Sequence, residues 1–271
     1  MEKFIKANAC YPVIGGFLPP KFESEVDAFN ENKIRIRVVS TSDSKQGKLL
    51  AEKLSDCNPD EPCQSFACAE CVRRFRVKKI NQLVHFCKDY KAWSVVTIVY
   101  YDEMVPSLFR LNLQRLKDRL RKQLNRAGVV DVIIGCFEAD YHPEYKAWMP
   151  HFHLLVKSEV ADSFEWKCFR KNHSKQQKNE KRKIKRKRSV LFQIVQDPSK
   201  QIAYVYKVMW QKVDAFYCDE HRYTKKYRLT REHFIHSLLK LDNLRLSDLE
   251  FMYRARQYGS TLVTVHRPRL D

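Results

Sequence analysis

Two histidines on either side of a phenylalanine are the residues whose type and spacing most directly suggest chemistry. They are His151 and His153, in the stretch WMPHFHLLV at 148–156. In a strand, side chains two positions apart share a face, so both imidazoles would project together and Phe152 would project to the other face. Such a pair can chelate one divalent ion with a third ligand. The alternative is that both histidines belong to the core.

A carboxylate on the preceding predicted strand is the best candidate for the third ligand. Glu138 lies near the end of that strand, and Asp140, which has the same parity, is the reserve. Two nitrogens and one carboxylate leave positions open for water and phosphate oxygens, and such a site suits Mg²⁺, Mn²⁺ or Zn²⁺. An ion of this kind polarises a phosphate oxygen, so the residues suggest phosphodiester chemistry.

A tyrosine and a lysine follow on the predicted helix that contains IAYVYKVMW, at 202–210. Tyr204 and Lys207 are neighbours at i and i+3, whereas Tyr206 would point away. Val208 fills the i+4 position, so Tyr204 is the single candidate nucleophile. Lys207 would favour the phenolate or bind a phosphate. The alternative is a core tyrosine beside a solvated lysine.

Four of the nine cysteines fall within fifteen residues, in the spacing C-x5-C-x4-C-x2-C: Cys57, Cys63, Cys68 and Cys71. Clustered thiols in an intracellular protein suggest a metal, and four suffice for a tetrahedral structural Zn²⁺. Cys87 or His85 is an alternative for one member. Some of the four would otherwise be unliganded buried thiols.

Positive charge dominates the chain, with a net charge of +19. Such a surplus attracts polyanions, and nucleic acid is the expected partner rather than a membrane. Residues 167–188 contain twelve lysines and arginines and one acid, Glu180. This basic block suggests a groove that follows a DNA strand, or a nuclear-import signal. The candidate DNA-binding residues are Arg73, Arg74 and Arg76 after the cysteines, and Lys183, Lys185, Arg186, Lys187 and Arg188 in the block.

Strands and helices alternate in an order that predicts an α+β protein with a central antiparallel sheet of about five strands, covered on one face by helices. The predicted strands are 34–40, 93–101, 129–140, 151–158 and 190–196, with an enlarged loop between the third and fourth. The predicted helices are 70–90, 106–128, 198–213 and 230–258. The expected units are an N-terminal region with the cysteine motif (1–92), a catalytic domain (93–229) and a helical C-terminal segment (230–271).

Targeting and nucleotide-binding signals are missing from the sequence. No apolar run approaches the roughly 20 residues of a membrane span, and the first residues contain no long apolar segment. We therefore expect a soluble cytoplasmic protein, associated with the nucleoid in a bacterium. No phosphate-binding loop of the Walker type is present, so a helicase would come from the host.

Three stretches in this order resemble the motifs of HUH endonucleases: VVTIVY (95–100), HFH (151–153) and YVYK (204–207). The match is closest to the rolling-circle replication initiators, or Rep proteins, of plasmids, phages and small single-stranded DNA viruses. The resemblance covers roughly residues 90–215. It implies the HUH fold, a ferredoxin-like split βαβ arrangement. The cysteine cluster is similar to one found ahead of the sheet in Rep-like proteins of bacterial mobile elements.

The resemblance also implies a mechanism. His151, His153 and Glu138 would hold Mg²⁺ or Mn²⁺, and Tyr204 would attack a DNA phosphate to form a 5′-phosphotyrosine and a free 3′-OH. Many phage relatives carry a second tyrosine where this chain has Val208, so a single-tyrosine nickase and strand transferase is implied. Its partners would be single-stranded DNA or an origin hairpin, with host helicase and polymerase.

Three alternatives remain open at this point. The same chemistry serves HUH transposases and relaxases of mobile elements. Tyr223 and Tyr227, spaced i and i+4 in YTKKY, are a rival nucleophile pair. The chain would instead be a non-catalytic, zinc-bearing nucleic-acid-binding protein if Tyr204 were buried far from His151.

Overall fold

The computed structural model describes residues 23–157, 163–177, 189–218, 221–259 and 261–265 of the chain. These residues form helices and strands in one α+β arrangement, as predicted. None of the described helices is long and apolar enough to cross a membrane.

Eight α-helices and nine strands lie in this part of the chain. The helices are α1 (Glu25–Ser40), α2 (Lys45–Ser55), α3 (Ala69–Phe86), α4 (Leu113–Arg126), α5 (Phe164–Gln176), α6 (Pro198–Val205), α7 (Arg231–Asp242) and α8 (Leu246–Leu249). The strands are β1 (Trp93–Val99), β2 (Ile133–His142), β3 (Ala147–Lys157), β4 (Val190–Ile194), β5 (Lys212–Cys218), β6 (His221–Tyr227), β7 (Glu250–Tyr253), β8 (Ala255–Tyr258) and β9 (Thr261–Thr264).

A mixed sheet forms the centre of the protein. Its strand order is β4-β1-β3-β2-β5-β6, and β7 also pairs with β2. The five strands β4, β1, β3, β2 and β7 are antiparallel throughout. β5 joins β2 in parallel through a single pair, Tyr141 with Lys212, and then forms a hairpin with β6. The predicted antiparallel centre is therefore present, with a two-stranded extension that makes the sheet mixed.

Helices pack on both faces of the sheet, so the prediction of one covered face is wrong. On one face the ring of His153 contacts Tyr204 of α6. On the opposite face Phe152 contacts Tyr100, whose ring meets His173 of α5. The Tyr100 hydroxyl also donates to Gln123 of α4. Strand alternation thus separates a polar face under α6 from an apolar face under α4 and α5.

The stretch IRIRVVS is part of helix α1, so the predicted strand at 34–40 is wrong. The buried positions of α1 follow a helical spacing. Two of them, Asn32 and Arg35, are polar, so the helical pattern is hidden in the sequence. The Arg35 guanidinium donates to the Ala67 carbonyl at 3.0 Å. The Asn32 side chain accepts from the Ala69 amide at 3.1 Å. These bonds join α1 to the cysteine segment.

Two other helices are shorter than predicted. The helix expected from Pro106 begins at Leu113, where the Asn112 side chain accepts from the Arg115 amide as an N-cap. The helix expected to reach residue 213 ends at Val205. The hairpin between β2 and β3 also differs from the prediction. Both strands extend into the expected loop, and only 143–146 connect them.

The C-terminal segment is only partly helical, which corrects the prediction for 230–258. After α7 and α8 the chain forms β7, which pairs Phe251 with Gly135 of β2. The hairpin β8–β9 follows. One continuous core includes residues from all three predicted units, from Val39 to Leu262. The described residues of the three units therefore share one core.

Gly135 marks a close approach between β2 and the strand that carries the histidines. A Cβ atom at this position would lie 2.1 Å from the His153 carbonyl oxygen and 2.7 Å from the Leu154 Cα. Both are backbone atoms of β3, so any side chain at Gly135 must displace the strand.

We expect Gly135→Ala to lower the free energy of unfolding by about 3 kcal/mol or more, because the added methyl group has no room. The measurement is urea denaturation. Gly128→Ala is the matched control: Gly128 has φ +75° but its added Cβ would meet only ordinary contact at 3.7 Å. It should cost about 1 kcal/mol through the backbone alone. Equal losses for the two variants would contradict the close approach.

Candidate metal centre and tyrosine site

Adjacent antiparallel strands bring the two histidines and the predicted third ligand together. His151 pairs directly with Glu138 of β2. His153 pairs with Thr97 of β1 on its other side. This direct pairing results from the length of β2 and β3, which extend into the region that was predicted to be a loop.

The three side chains form a compact group that can hold a divalent ion. One ligand atom from each of Glu138, His151 and His153 lies within 4.8 Å of the others. Both histidine Nε2 atoms are 3.6 Å from Glu138 Oε2. The residues are 0%, 7% and 3% exposed in that order. Among the described residues, Glu138 Oε1 and His153 Nε2 have no hydrogen-bond partner, and Glu138 Oε2 has the Lys207 ammonium 3.2 Å away as its ion-pair partner. Buried polar atoms without partners are costly, so this donor set fits a cation.

Hydrogen bonds behind the histidines fix the orientation of both rings. His151 Nδ1 lies 3.1 Å from the Met149 carbonyl, which only accepts, so Nδ1 carries the proton and Nε2 keeps its lone pair. His153 Nδ1 lies 2.9 Å from Thr97 Oγ1. Partners of this kind are typical of metal-binding histidines.

The electrostatics of the group also suit a metal. Burial raises the pKa of Glu138, but the Lys207 ammonium and the two imidazoles outweigh it and hold that pKa well below its usual value. Burial lowers the pKa of His153. The carboxylate is therefore charged and the imidazole neutral at neutral pH, which are the forms that bind metal ions.

Asp140, the reserve ligand, is already occupied. Its Oδ1 accepts from the Gln211 amide at 2.8 Å. Its Oδ2 pairs with the Lys226 ammonium at 2.8 Å. Asp140 and Glu138 share a face of β2, but only Glu138 has oxygens available for an ion.

Helix α6 brings Tyr204 to the histidines. Asp197 caps the helix by accepting from the Lys200 amide at 3.1 Å, and Pro198 is the first helical residue, as predicted. The Tyr204 ring centroid is 4.7 Å from that of His153. The side chain is 43% exposed. Tyr204 is therefore neither buried nor remote from the histidine pair.

A cation that acts on the Tyr204 phenol comes from β6, a strand that the sequence did not predict. Burial raises the pKa of Tyr204, and Lys226 of β6 opposes that rise. The Lys226 Nζ is 6.0 Å from the ring centroid of Tyr204. The phenol is consequently protonated at neutral pH in this structure.

Lys207 turns back toward the metal ligands. Its Nζ lies 3.2 Å from Glu138 Oε2 and donates to Gln211 Oε1 at 3.1 Å. The following residue, Val208, has φ +48°. A β-branched residue in the left-handed region is strained by about 1–3 kcal/mol. This turn ends the helix before position 208, so a tyrosine there would not share a helix with Tyr204.

Helix α3 supports the tyrosine helix from behind. The Arg76 guanidinium donates to the Ala203 carbonyl at 3.3 Å and also binds Glu23. Arg76 is 8% exposed, so the expectation that it faces DNA at the surface is wrong. Tyr206, which points away from the site as predicted, is buried and donates to Glu250 at 2.7 Å.

The rival tyrosines lie on the hairpin β5–β6. Lys226 points toward Asp140, so alternation along β6 directs Tyr223 and Tyr227 to the opposite face of the hairpin. Tyr223 stacks on Phe216, and the Tyr227 ring lies beside Lys212.

The four predicted cysteines form a second group that could hold a metal ion. Sulfur–sulfur distances are 3.6 Å for Cys57–Cys71, 3.7 Å for Cys63–Cys71 and 3.6 Å for Cys57–Cys68. These match the edge of about 3.8 Å in a tetrahedron with zinc–sulfur bonds of about 2.3 Å. They are far longer than a disulfide bond.

The local fold favours a thiolate at Cys63. Hydrogen bonds from Cys68 and Cys71 lower the pKa of Cys63 to about 4. Hydrogen bonding to Cys63 and burial raise the pKa of Cys68, the N-cap of α3, and of Cys71 in its first turn. Cys87 and His85 lie at the other end of α3, so neither replaces a member of the cluster.

The remaining DNA-binding predictions have different outcomes. Arg73 binds the Glu23 carbonyl and the Glu25 carboxylate, and Arg74 lies 3.5 Å from the Asn58 carbonyl. The candidates of the basic block lie outside the described residues: Lys183, Lys185, Arg186, Lys187 and Arg188.

Sequence patterns did not identify Thr97, Lys226 or Gln211 as site residues. Thr97 lies in an apolar strand, and only its pairing with His153 indicates a role. Lys226 is one of many lysines and reaches the site because β6 folds back along β5. Local sequence contains no signal for such a contact.

Comparison with known proteins finds no matching family model, no similar curated protein and no similar solved structure.

We expect the purified chain to contain one zinc ion in the cysteine cluster. Cys71→Ser should remove it and lower the unfolding temperature by about 5–10 °C, because loss of a structural metal destabilises a fold of this size by several kcal/mol. Elemental analysis and thermal denaturation measure both effects. Cys168→Ser, outside the cluster, is the control. Full zinc content in the Cys71 variant would contradict the assignment.

Proposed function

We propose that this protein is a metal-dependent DNA nickase and strand transferase that initiates rolling-circle replication. The observation that carries the proposal is the contact between the half-exposed Tyr204 and a buried group of one carboxylate and two imidazoles. A nucleophile beside a divalent-ion site is what cleavage of a phosphodiester by a side chain requires.

Glu138, His151 and His153 would hold Mg²⁺ or Mn²⁺. When bound, the ion would polarise a non-bridging oxygen of the scissile phosphate. Their fit is supported by Glu138 Oε1 and His153 Nε2, which are buried and have no hydrogen-bond partner among the described residues. Lys207 and Lys226 supply positive charge on either side of the ligands and the phenol.

The proposed reaction exchanges one phosphoester bond for another. The Tyr204 oxygen bonds to phosphorus, the bond from phosphorus to the 3′ oxygen breaks, and the phenol proton is transferred by way of solvent to the leaving 3′ oxygen. The products are a 5′-phosphotyrosine and a free 3′-OH. Because the bond energy is kept, the reverse attack rejoins the strand without ATP.

Replication initiation is proposed because the order of the motifs most resembles that of Rep proteins. The carboxylate-bearing strand, the HFH strand and the Tyr-x-x-Lys segment follow one another as in that family. Transposition and conjugative relaxation use the same chemistry, and the structural site alone does not favour either over replication.

We expect the protein to form a covalent adduct with single-stranded DNA when Mn²⁺ is present. Tyr204→Phe should reduce adduct formation by more than about 10³-fold, because it removes the attacking oxygen and leaves the ring. The measurement is a denaturing gel after incubation with an end-labelled random single-stranded library. Sequencing the captured DNA would identify the cleavage site.

Tyr227→Phe and Tyr223→Phe are the matched controls for the adduct. Both should react as the unmodified chain does. An adduct that survives Tyr204→Phe and disappears in either control would assign the nucleophile to the hairpin. No adduct in the unmodified chain with Mn²⁺, Mg²⁺ or Zn²⁺ would leave a non-catalytic DNA-binding protein.

The double variant His151→Ala, His153→Ala should lose cleavage while retaining charge-driven binding. Affinity for single-stranded DNA at low salt should stay within about threefold, because Lys and Arg contacts with phosphates supply most of it. Fluorescence anisotropy and the adduct gel measure the two properties. His85→Ala, an exposed histidine away from the site, is the control. Retained cleavage in the double variant would rule out the metal site.

A further inference from the structure

The hairpin β5–β6 extends from the edge of the main sheet beside the candidate site. Seven residue pairs join the two strands, from Lys212–Tyr227 to Cys218–His221. Only the first of these rows also pairs with β2, through Tyr141. Within the described residues no other strand pairs with the rest of the hairpin.

The two faces of this hairpin differ in character. In the row next to the sheet, Val213 is buried and its partner Lys226 binds Asp140, so this end of the inward face turns toward the protein; Tyr217, further along the same face, is 68% exposed. Strand alternation places Phe216 and its partner Tyr223 on the outward face. Their rings are 5.7 Å apart and nearly parallel, with an interplanar angle of 22°. They are 47% and 49% exposed.

A third ring on the outward face is surrounded by lysines. The Nζ atoms of Lys212 and Lys225 each lie 5.4 Å from the ring centroid of Tyr227. The acidic residue of this face, Asp214, pairs with Lys212 at 2.7 Å. Large exposed rings cost stability when nothing covers them, so such a patch indicates a binding surface.

We propose that the outward face of the β5–β6 hairpin binds single-stranded DNA, with bases stacking on Phe216, Tyr223 and Tyr227 and phosphates held by the adjacent lysines. Exposed rings beside ammonium groups are the features that bind unpaired bases without sequence preference. A duplex hides its base faces within its own stack. The positive charge of the chain complements phosphate and opposes a basic protein partner.

This inference rests on the proposed function and names the surface that would deliver its substrate. Lys226 is part of the same β6 strand, with its side chain on the inward face 6.0 Å from the Tyr204 ring centroid. A DNA strand on the outward face would therefore lie across β6 from the tyrosine and the metal ligands, and only nucleotides that continue round the edge of β6 would reach them.

The test compares affinities for a labelled oligothymidylate of about 16 nucleotides, a length within the range of known single-strand sites. The full chain carries Tyr204→Phe throughout, so no adduct forms and both metal-binding groups stay intact. Phe216→Leu with Tyr223→Leu keeps apolar bulk in the hairpin but removes the rings. We expect it to weaken binding about tenfold or more.

Three further variants separate stacking from other effects. Phe216→Tyr with Tyr223→Phe keeps both rings and should bind normally. Tyr258→Leu removes a ring from β8 that is more exposed, at 61%, and should also bind normally. Lys225→Ala should reduce the slope of log affinity against log salt by about one, because it removes one phosphate contact.

Several results would overturn the proposal: unchanged affinity in the double leucine variant, an equal loss with Tyr258→Leu, or an unchanged salt slope with Lys225→Ala. Tighter binding of the matching duplex or of oligouridylate would also overturn the assignment to single-stranded DNA. These outcomes are independent of cleavage. Ring-dependent binding without any adduct in the unmodified chain would refute the nickase alone, whereas an adduct with ring-independent binding would refute the hairpin surface alone.

Discussion

A buried negative charge at Glu138 constrains the arrangement around it. The carboxylate is fully buried in the middle of a sheet, where an unpaired charge would cost several kcal/mol. Three nitrogen groups surround it: two imidazoles from β3, each 3.6 Å from Oε2, and the ammonium of Lys207 at 3.2 Å. Val208, whose backbone is strained, directly follows Lys207 at the turn where the Lys207 ammonium reaches the Glu138 carboxylate.

Helix α3 connects the two metal-binding groups. Its first turn contains Cys68 and Cys71, and its middle contributes Arg76, which binds the carbonyl of the residue before Tyr204. One turn further, Lys79 pairs with Glu250, which also accepts from Tyr206. The cysteine cluster therefore lies at one end of a helix whose side chains contact the tyrosine helix and β7, a connection that its distance in sequence from the tyrosine does not suggest.

The local sequence was sufficient to predict features that depend on neighbouring residues, such as strand parity and helix capping. Strand parity placed His151 and His153 on one face, and the Asp197–Pro198 pair predicted the start of the tyrosine helix. The local sequence did not predict features that depend on contacts between residues far apart in the chain. IRIRVVS alternates like a strand, yet it is helical because buried Arg35 finds its acceptor in the cysteine segment. Lys226 reaches the site only through the pairing of β6 with β5, which no local pattern encodes.

Glu138 and Asp140 show how two carboxylates on the same face of a strand acquire different roles. Asp140 accepts from the Gln211 amide and pairs with Lys226, so it fastens the segment after the tyrosine helix to the hairpin. Its oxygens are thereby saturated, whereas those of Glu138 are not. Hydrogen-bond saturation, rather than position along β2, therefore determines which carboxylate is available to a metal ion. The Asp140 carboxylate in turn holds the β5–β6 hairpin next to Glu138, so the candidate metal ligands and the exposed aromatic face are parts of one connected structure.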